Sequence, residues 1–263
     1  MRLGIACLIL SFSIFFGVAV PSMAQTPLTN DEIITNFNIV AFGNEYTKQQ
    51  YEHVRKWEKP IYVGILGTPP DSFDDLVVNF LDELIAATGH PMSLAYSPRM
   101  VREKRMAKGF DPNKVVNIFL IYDTINAIAK IVGNKKVPHS DFVIKTLSEG
   151  KAHCMATINK RKTEVVSAVV YFPSHHTPQS IRACVVEELT QIMGLPNDSD
   201  RITQSIFKDR GKHNELTPQD RLFLRLLYNS GVTSGMPRID ALKAIYANLN
   251  RIRPGGVRRE PAR

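Results

Sequence analysis

The stretch CVVEELTQIMGLPNDSD, residues 184–200, places two adjacent glutamates in an otherwise apolar helical segment that ends at a glycine. A helix turns by about 100° per residue, so its apolar side chains occupy two neighbouring stripes. A helix that is apolar on most of its surface is buried, and Glu187 and Glu188 then lie at its one open window or inside the protein. Because an unpartnered buried carboxylate is costly, the pair indicates a polar site set into a core. One stripe contains Ile181, Cys184, Val185, Glu188 and Ile192, and the other contains Val186, Leu189 and Met193.

The polar positions of this stretch have the spacing of a metalloprotease motif. The stretch reads Glu187-Glu188-x-x-Gln191-x-x-Gly194-x-x-Asn197-Asp198. It resembles H-E-x-x-H-x-x-G-x-x-H of the metzincins, in which histidines bind zinc, the glutamate polarises a bound water, and the glycine turns the chain toward the third ligand. The resemblance gives Glu188 the position of the general base and Gly194 that of the turn. The three histidine positions hold Glu187, Gln191 and Asn197.

The residue types at the ligand positions argue against zinc. Zinc in proteins favours nitrogen and sulfur donors, whereas this set offers one anionic and two weak neutral oxygens. We therefore expect no zinc and no other cofactor, and we assign no metal ligands. The oxygens of Glu187 and Asp198 suit a hard cation, which leaves open a weak calcium or magnesium site. His175 and His176 precede the helix and are expected at the surface.

The resemblance to the matrixin branch of the metzincins extends beyond the helix. Residues 205–207, Ser-Ile-Phe, fall where that branch has its Met-turn, with Phe207 at the methionine position. Thr217 begins a helix-capping pattern, and residues 220–228, DRLFLRLLY, are similar to the closing matrixin helix. Residues 164–172 stand where those proteases place the edge strand that holds substrate by main-chain pairing. The match covers residues 164–228, roughly a quarter of the chain.

The chain without its N-terminal segment is similar to a bacterial exported family catalogued as domain of unknown function 2927. This resemblance implies an α+β fold that is zincin-like (metzincin-like), with a mixed sheet packed on a long helix and a buried motif helix. It implies no established activity. The residues that carry it are Cys184, residues 187–191 (EELTQ), Gly194, Leu195, Asn197, Asp198, Leu216, Thr217, Asp220, Leu227, Tyr228, Gly235 and Met236.

The N-terminal residues predict an export signal. An early cation and an apolar run over residues 3–20 precede Ser22-Met23-Ala24, which offers small residues at the two positions that signal peptidase reads. We expect cleavage after Ala24, a secreted or periplasmic location, and no transmembrane anchor after cleavage. An uncleaved membrane anchor is the alternative.

Cysteine content then predicts one disulfide bond. Removal of the signal removes Cys7 and leaves Cys154 and Cys184 in an oxidising compartment. A bond between them closes a loop of about 30 residues and contributes about 3–4 kcal/mol on the chain-entropy model. The alternative is two free buried cysteines that behave as small apolar residues.

Apolar periodicity and turn residues indicate one mixed domain. We divide the chain into a signal peptide (1–24), an N-terminal extension (25–56), a zincin-like domain (57–250) and a basic disordered tail (251–263). Besides the motif helix, predicted helices cover residues 29–37, 71–89, 141–147 and 220–228, and predicted strands cover residues 61–66, 115–122 and 164–172.

Three functions are compatible with these observations. The favoured one is a non-catalytic pseudoprotease whose zincin-like cleft binds a peptide or envelope component, without classical zinc peptidase activity. The alternatives are a hydrolase of unorthodox site that uses Glu188 as general base, and a structural domain in which Glu187 and Glu188 pair with Arg182 or Arg210. The net charge of +8 does not indicate nucleic-acid binding, because no aromatic residues interleave with the tail arginines. The sequence predicts no oligomeric state.

Overall fold

The computed structural model describes residues 27–44, 49–135, 137–208, 213–254 and 256. The predicted signal peptide, residues 1–24, lies outside the described residues and stays a prediction. Within the described ranges, no helix has the length and apolar character needed to cross a membrane.

A five-stranded mixed sheet forms the centre of the molecule. Its order is β2-β1-β3-β5-β4, with β4 antiparallel to β5 and the other neighbours parallel. Together with the helices, this sheet confirms the predicted α+β class and its mixed sheet. The strands are β1 (Ile61–Gly67), β2 (Met92–Tyr96), β3 (Ile118–Asp123), β4 (Met155–Arg161) and β5 (Glu164–Pro173).

The prediction that residues 164–172 form an edge strand is wrong. Strand β5 lies between β3 and β4, and β4 forms the edge. The physical reason is visible in the sequence of β5, which is apolar on both faces as an interior strand must be. Strand β4 instead ends in Asn159, Lys160 and Arg161, which are exposed. The predicted strand over 115–122 is also shortened, because Val115 ends a short helix.

Local sequence explains where the longer helices begin and end. Thr29 and Glu32 form the predicted capping box of the first helix, which continues past the predicted end at Phe37. Gly89 ends the second helix in the left-handed conformation, as predicted. The helices are α1 (Asn30–Phe42), α2 (Asp71–Thr88), α3 (Pro98–Arg102), α4 (Pro112–Val115), α5 (Ile125–Lys135), α6 (Ser140–Ser148), α7 (Pro178–Gln191), α8 (Pro218–Asn229) and α9 (Arg238–Ile252).

The sheet carries an apolar core on each face, because consecutive residues of a strand point to opposite sides. Leu120 and Val170 belong to the larger core, which includes side chains of α1, α2, α7, α8 and α9. Ile121 and Tyr171 belong to the smaller core, with side chains of α5 and α6. The motif helix α7 thus lies on the face with the larger core.

Both chain ends of the described region join the domain. In the predicted N-terminal extension, Phe37 packs edge-on against Phe223 of α8 at 5.8 Å between ring centroids. At the other end, Arg253 Nη2 donates to the carbonyl of Leu28 at 3.1 Å. Residues 251–253 of the predicted disordered tail therefore belong to the fold, whereas residues 255 and 257–263 lie outside the described residues.

Candidate functional site

Helix α7 is buried on most of its surface, as its sequence predicts. Thr177 caps it by accepting a hydrogen bond from the Ser180 N–H, and Pro178 occupies the first turn, where no intrahelical N–H is needed. Glu188 is only 7% exposed, whereas Glu187 is partly exposed. The fully apolar stripe of Val186, Leu189 and Met193 faces the larger core. The two glutamates therefore occupy the boundary between the core and an open surface.

The C-terminal end of α7 is held by hydrogen bonds to side chains from distant parts of the chain. Trp57 Nε1 donates to the carbonyl of Ile192 at 2.9 Å, and the Tyr228 hydroxyl donates to that of Met193 at 2.8 Å. Burial raises the pKa of Tyr228, which keeps the phenol protonated as a donor. Carbonyl groups that the helix leaves without partners are thus satisfied.

Gly194 makes the predicted turn after the helix. Its φ is +115°, in the region that favours glycine. A Cβ at this position would lie 2.3 Å from the carbonyl oxygen of Arg55. The glycine is therefore needed both for its backbone conformation and for the close approach of the segment that contains Arg55.

The predicted disulfide between Cys154 and Cys184 is present in the structure, with a sequence separation of 30 residues. Cys154 immediately precedes β4, and Cys184 lies in α7. The bond therefore joins the edge strand to the motif helix.

A cleft of about 1290 Å³ lies along these two elements. Residues of β4 form one wall, and α7 with the turn after it forms the other. Four polar residues of the predicted site line the cleft, namely Glu187, Glu188, Gln191 and Asp198, and so do the two predicted disulfide cysteines. Gln191 Nε2 donates to Asp198 Oδ1 at 2.9 Å, which ties the last turn of the helix to the following loop.

Asn197 does not join these residues. Its Nδ2 donates to the carbonyl of Ile39 at 3.0 Å, and its backbone N–H donates to that of Val40 at 3.2 Å. It therefore caps the last turn of α1. The Asn197 side chain is directed to α1, and the Gln191 amide donates to Asp198. The residues at the three histidine positions therefore do not fit a zinc ion. Among the described residues, no group of three or more His, Cys, Asp or Glu is arranged to hold a metal.

The region after the turn is organised around Asp220 rather than around a metal. The Asp220 carboxylate accepts hydrogen bonds from the Ser205 hydroxyl and from the N–H groups of Ile206 and Thr217. Burial raises the pKa of Asp220. The predicted capping pattern at Thr217 is confirmed, and Phe207, at the methionine position, is fully buried.

Arg182 and Arg210 are the predicted partners of the two glutamates in the structural alternative. Arg182 forms an ion pair with Glu215 at 3.0 Å, and Arg210 lies outside the described residues.

His175 is exposed and stacks on His176, with ring centroids 4.1 Å apart. Burial and the neighbouring imidazoles lower the pKa of His176.

The sequence predictions missed a basic group at the same cleft. Arg55 is 8% exposed, lines the cleft, and lies over the ring of Tyr51 at 2.9 Å from the centroid. Lys160 Nζ lies 5.8 Å from the centroid of the same ring. Arg55 belongs to a polar stretch of the sequence. The only residue there that indicates burial is Trp57, the single tryptophan of the chain.

Comparison with known proteins identifies the chain at the level of family. No curated protein is significantly similar to it. The model of the family described as "Protein of unknown function (DUF2927)" matches residues 30–247, a range that includes α1, the whole sheet, the cleft and most of α9. The chain therefore belongs to the DUF2927 family of proteins of unknown function.

Proposed function

We propose that this protein is an exported, non-catalytic zincin-like domain whose cleft binds an extended peptide. The observation that carries the proposal is the position of the cleft between the edge strand β4 and the polar residues Glu187, Glu188 and Gln191 of α7. Among the described strands, β4 pairs only with β5. Its outer edge therefore offers main-chain donors and acceptors to a peptide that adds as a further strand.

The side chains around that edge suit a peptide. Ala156 and Ile158 line the cleft from β4, and Ala183 lines it from α7. These small and apolar side chains leave room for the alternate side chains of an added strand, while Glu187 and Gln191 provide hydrogen-bonding groups opposite. The combination favours specific recognition of a short segment over a flat protein interface.

Three further observations support an exported zincin-like domain without zinc chemistry. The disulfide is typical of proteins in oxidising compartments. The order of strand β5, motif helix, Gly194 turn and capped helix α8 matches the resemblance in the sequence. The oxygens at the former ligand positions lack the donor types that tetrahedral zinc favours.

Peptide selection on the immobilised protein tests this function. A random heptapeptide library should yield enriched peptides that bind the parent and fail to bind Ala183→Trp, in which the indole fills the cleft. Ala247→Trp, at an exposed position of α9, should bind them as the parent does. Failure to enrich any peptide, or equal binding by Ala183→Trp, would reject the proposal.

A hydrolase remains the second candidate because Glu188 is buried and yet lines the cleft, where a general base would act. The enriched peptides themselves discriminate the two functions. Incubation with the protein followed by mass spectrometry should show intact peptides if the domain is non-catalytic. Cleavage that is lost in Glu188→Gln, with binding retained, would establish the hydrolase instead.

A further inference from the structure

In the described part of the chain, two buried N–H groups of the Arg55 side chain have no hydrogen-bond partner. No hydrogen-bond acceptor among the described residues reaches Nε or Nη2. These two atoms lie on one edge of the planar guanidinium, where their N–H bonds are parallel and match the two oxygens of a carboxylate. A buried cation left in this state is costly, so the arrangement indicates a missing anion.

The rest of the guanidinium is held in place by the protein. Its Cζ lies over the Tyr51 ring, 2.9 Å from the centroid, and the Tyr51 hydroxyl in turn accepts a hydrogen bond from Asn44 Nδ2 at 2.6 Å. Contact with the ring restricts the guanidinium, while the buried edge that carries Nε and Nη2 has no hydrogen-bond partner among the described residues. The cleft borders this group, since Tyr51, Arg55 and Asn44 all line it.

The backbone of the segment is equally constrained. The N–H of Val54 donates to the carbonyl of Met236, and the N–H of Gly235 donates back to Val54, each at 2.9 Å. On the other side of Arg55, the carbonyl of Lys56 accepts from the N–H of Val165, the second residue of β5, at 3.1 Å. These bonds, with Gly194 against the Arg55 carbonyl, fix the backbone from which the Arg55 side chain extends.

A second cation lies beside the first. Lys160 is exposed on β4, lines the cleft, and approaches the same tyrosine ring. Neither Lys160 nor Arg55 forms an ion pair with another residue in the described part of the chain. Burial, and for Lys160 also the charge of Arg55, lowers the pKa of each. An anion between Arg55 and Lys160 would accept the hydrogen bonds that Arg55 lacks and would reduce the repulsion between the two positive charges.

We propose that Arg55, supported by Lys160, is a carboxylate-binding subsite of the cleft that accepts a carboxylate of the bound peptide through Nε and Nη2. This inference rests on the proposed peptide-binding function and adds a requirement for charge in the ligand. The carboxylate comes from the peptide C-terminus or from an acidic side chain, and the two sources share this recognition chemistry.

Nuclear magnetic resonance of the whole protein tests the subsite with defined probes. The probes are sodium acetate and three N-acetylated pentapeptides of alternating threonine and alanine: one with a free C-terminal carboxylate, one with a C-terminal amide, and one amide with a central aspartate. The reporters are the backbone N–H signals of β4 and the side-chain Nε–H signal of Arg55, which is assigned by its loss in Arg55→Lys.

We expect a carboxylate-bearing peptide to shift both reporters and to bind at least about tenfold more tightly than the neutral amide, because two charge-assisted hydrogen bonds are gained. Binding by the free acid alone would assign the C-terminus, and binding by the aspartate peptide would assign an acidic side chain. Arg55→Lys should lose most of this preference, because lysine keeps the charge but not the paired N–H groups.

Two surface variants keep the test independent of any folding defect at Arg55. Lys160→Gln should reduce the preference several-fold, whereas Arg161→Gln, which removes the same charge one residue along β4 and outside the cleft, should leave it unchanged. Equal binding of acid and amide at β4, without a shift at Arg55, would overturn the subsite and leave peptide binding intact. Acetate shifting Arg55 while no peptide perturbs β4 would retain the subsite and reject peptide binding, and no response to any probe would reject both.

Discussion

The C-terminal end of α7 and the side chain of Arg55 are neighbours that differ in how their polar groups are satisfied. The carbonyls of Ile192 and Met193 each receive a side-chain hydrogen bond. Arg55, whose own carbonyl contacts Gly194, keeps two buried N–H groups without partners among the described residues. The hydrogen bonds of the first region are made within the chain, whereas the proposed carboxylate would supply those that the described residues do not offer to Arg55.

This difference distinguishes groups that stabilise the fold from a group that we assign to ligand binding. Satisfied helix ends and close backbone contacts contribute to the free energy of unfolding. An unsatisfied buried cation lowers it, and proteins retain such groups at binding sites, where activity and stability oppose each other. Substitutions in the two regions should therefore change stability in opposite directions.

The largest effect is expected for Gly194→Ala. The added Cβ meets the Arg55 carbonyl at 2.3 Å in a backbone conformation with φ of +115°, so strain and overpacking should together cost about 3–5 kcal/mol in urea unfolding. Gly89→Ala is the matched control, since its φ is +69° and no atom lies within 4 Å of the added Cβ. It should cost about 1–2 kcal/mol. Equal losses in the two variants would show that the contact with Arg55 contributes nothing.

The next largest effect is expected when the bond between the cleft walls is removed. The double variant Cys154→Ala with Cys184→Ala should lose about 3 kcal/mol, because an unfolded chain without the 30-residue loop has more conformational freedom. Equilibrium unfolding of the variant, and of the parent under reducing conditions, should agree. A loss under about 1 kcal/mol would contradict the prediction.

A smaller loss is expected for Tyr228→Phe. The substitution removes the donor to the Met193 carbonyl and should cost about 1–2 kcal/mol. Tyr246→Phe removes a hydroxyl that donates to Asp31 at 2.9 Å on the exposed surface, and should change stability by less than about 0.5 kcal/mol. Thermal unfolding of both variants provides the comparison, and equal values would mean that burial of the bond is unimportant.

The smallest effect is expected for Arg55→Met, and its sign is opposite. Methionine preserves apolar packing on Tyr51 and removes the unpartnered charge, so the free energy of unfolding should rise by about 1 kcal/mol. Lys160→Gln, at an exposed position, should remain within about 0.5 kcal/mol of the parent. A loss above about 1 kcal/mol for Arg55→Met would make Arg55 a structural residue and would break the contrast between the regions.

Local signals in the sequence predicted much of the fold. The capping box at Thr29, the glycine at the end of α2 and the β-branched runs of β1 and β5 each produced an element close to its observed place. The apolar surface of α7 predicted its burial. The predictions missed β4, whose sequence is MATINKR. Its last residues are polar, as is common in exposed edge strands, so the segment lacks the apolar pattern by which a strand is predicted.

The site was only partly predictable for a physical reason. Glu187, Glu188 and Gln191 line one cleft, and their proximity follows from helical spacing, which is local geometry. Asn197 follows the turn, and its direction depends on α1, which lies more than 150 residues earlier in the chain. Arg55 likewise owes its burial to Tyr51, Gly194 and the segment around Met236, which no short pattern encodes.

The covalent link between β4 and α7 also has a consequence for when the protein becomes competent to bind. The two walls of the cleft are joined only after Cys154 and Cys184 have been oxidised. In a reducing environment the newly made chain would hold these walls by non-covalent packing alone. For a protein exported as proposed, oxidation would then be a maturation step that joins the walls of the proposed binding groove after the chain has left the compartment of its synthesis.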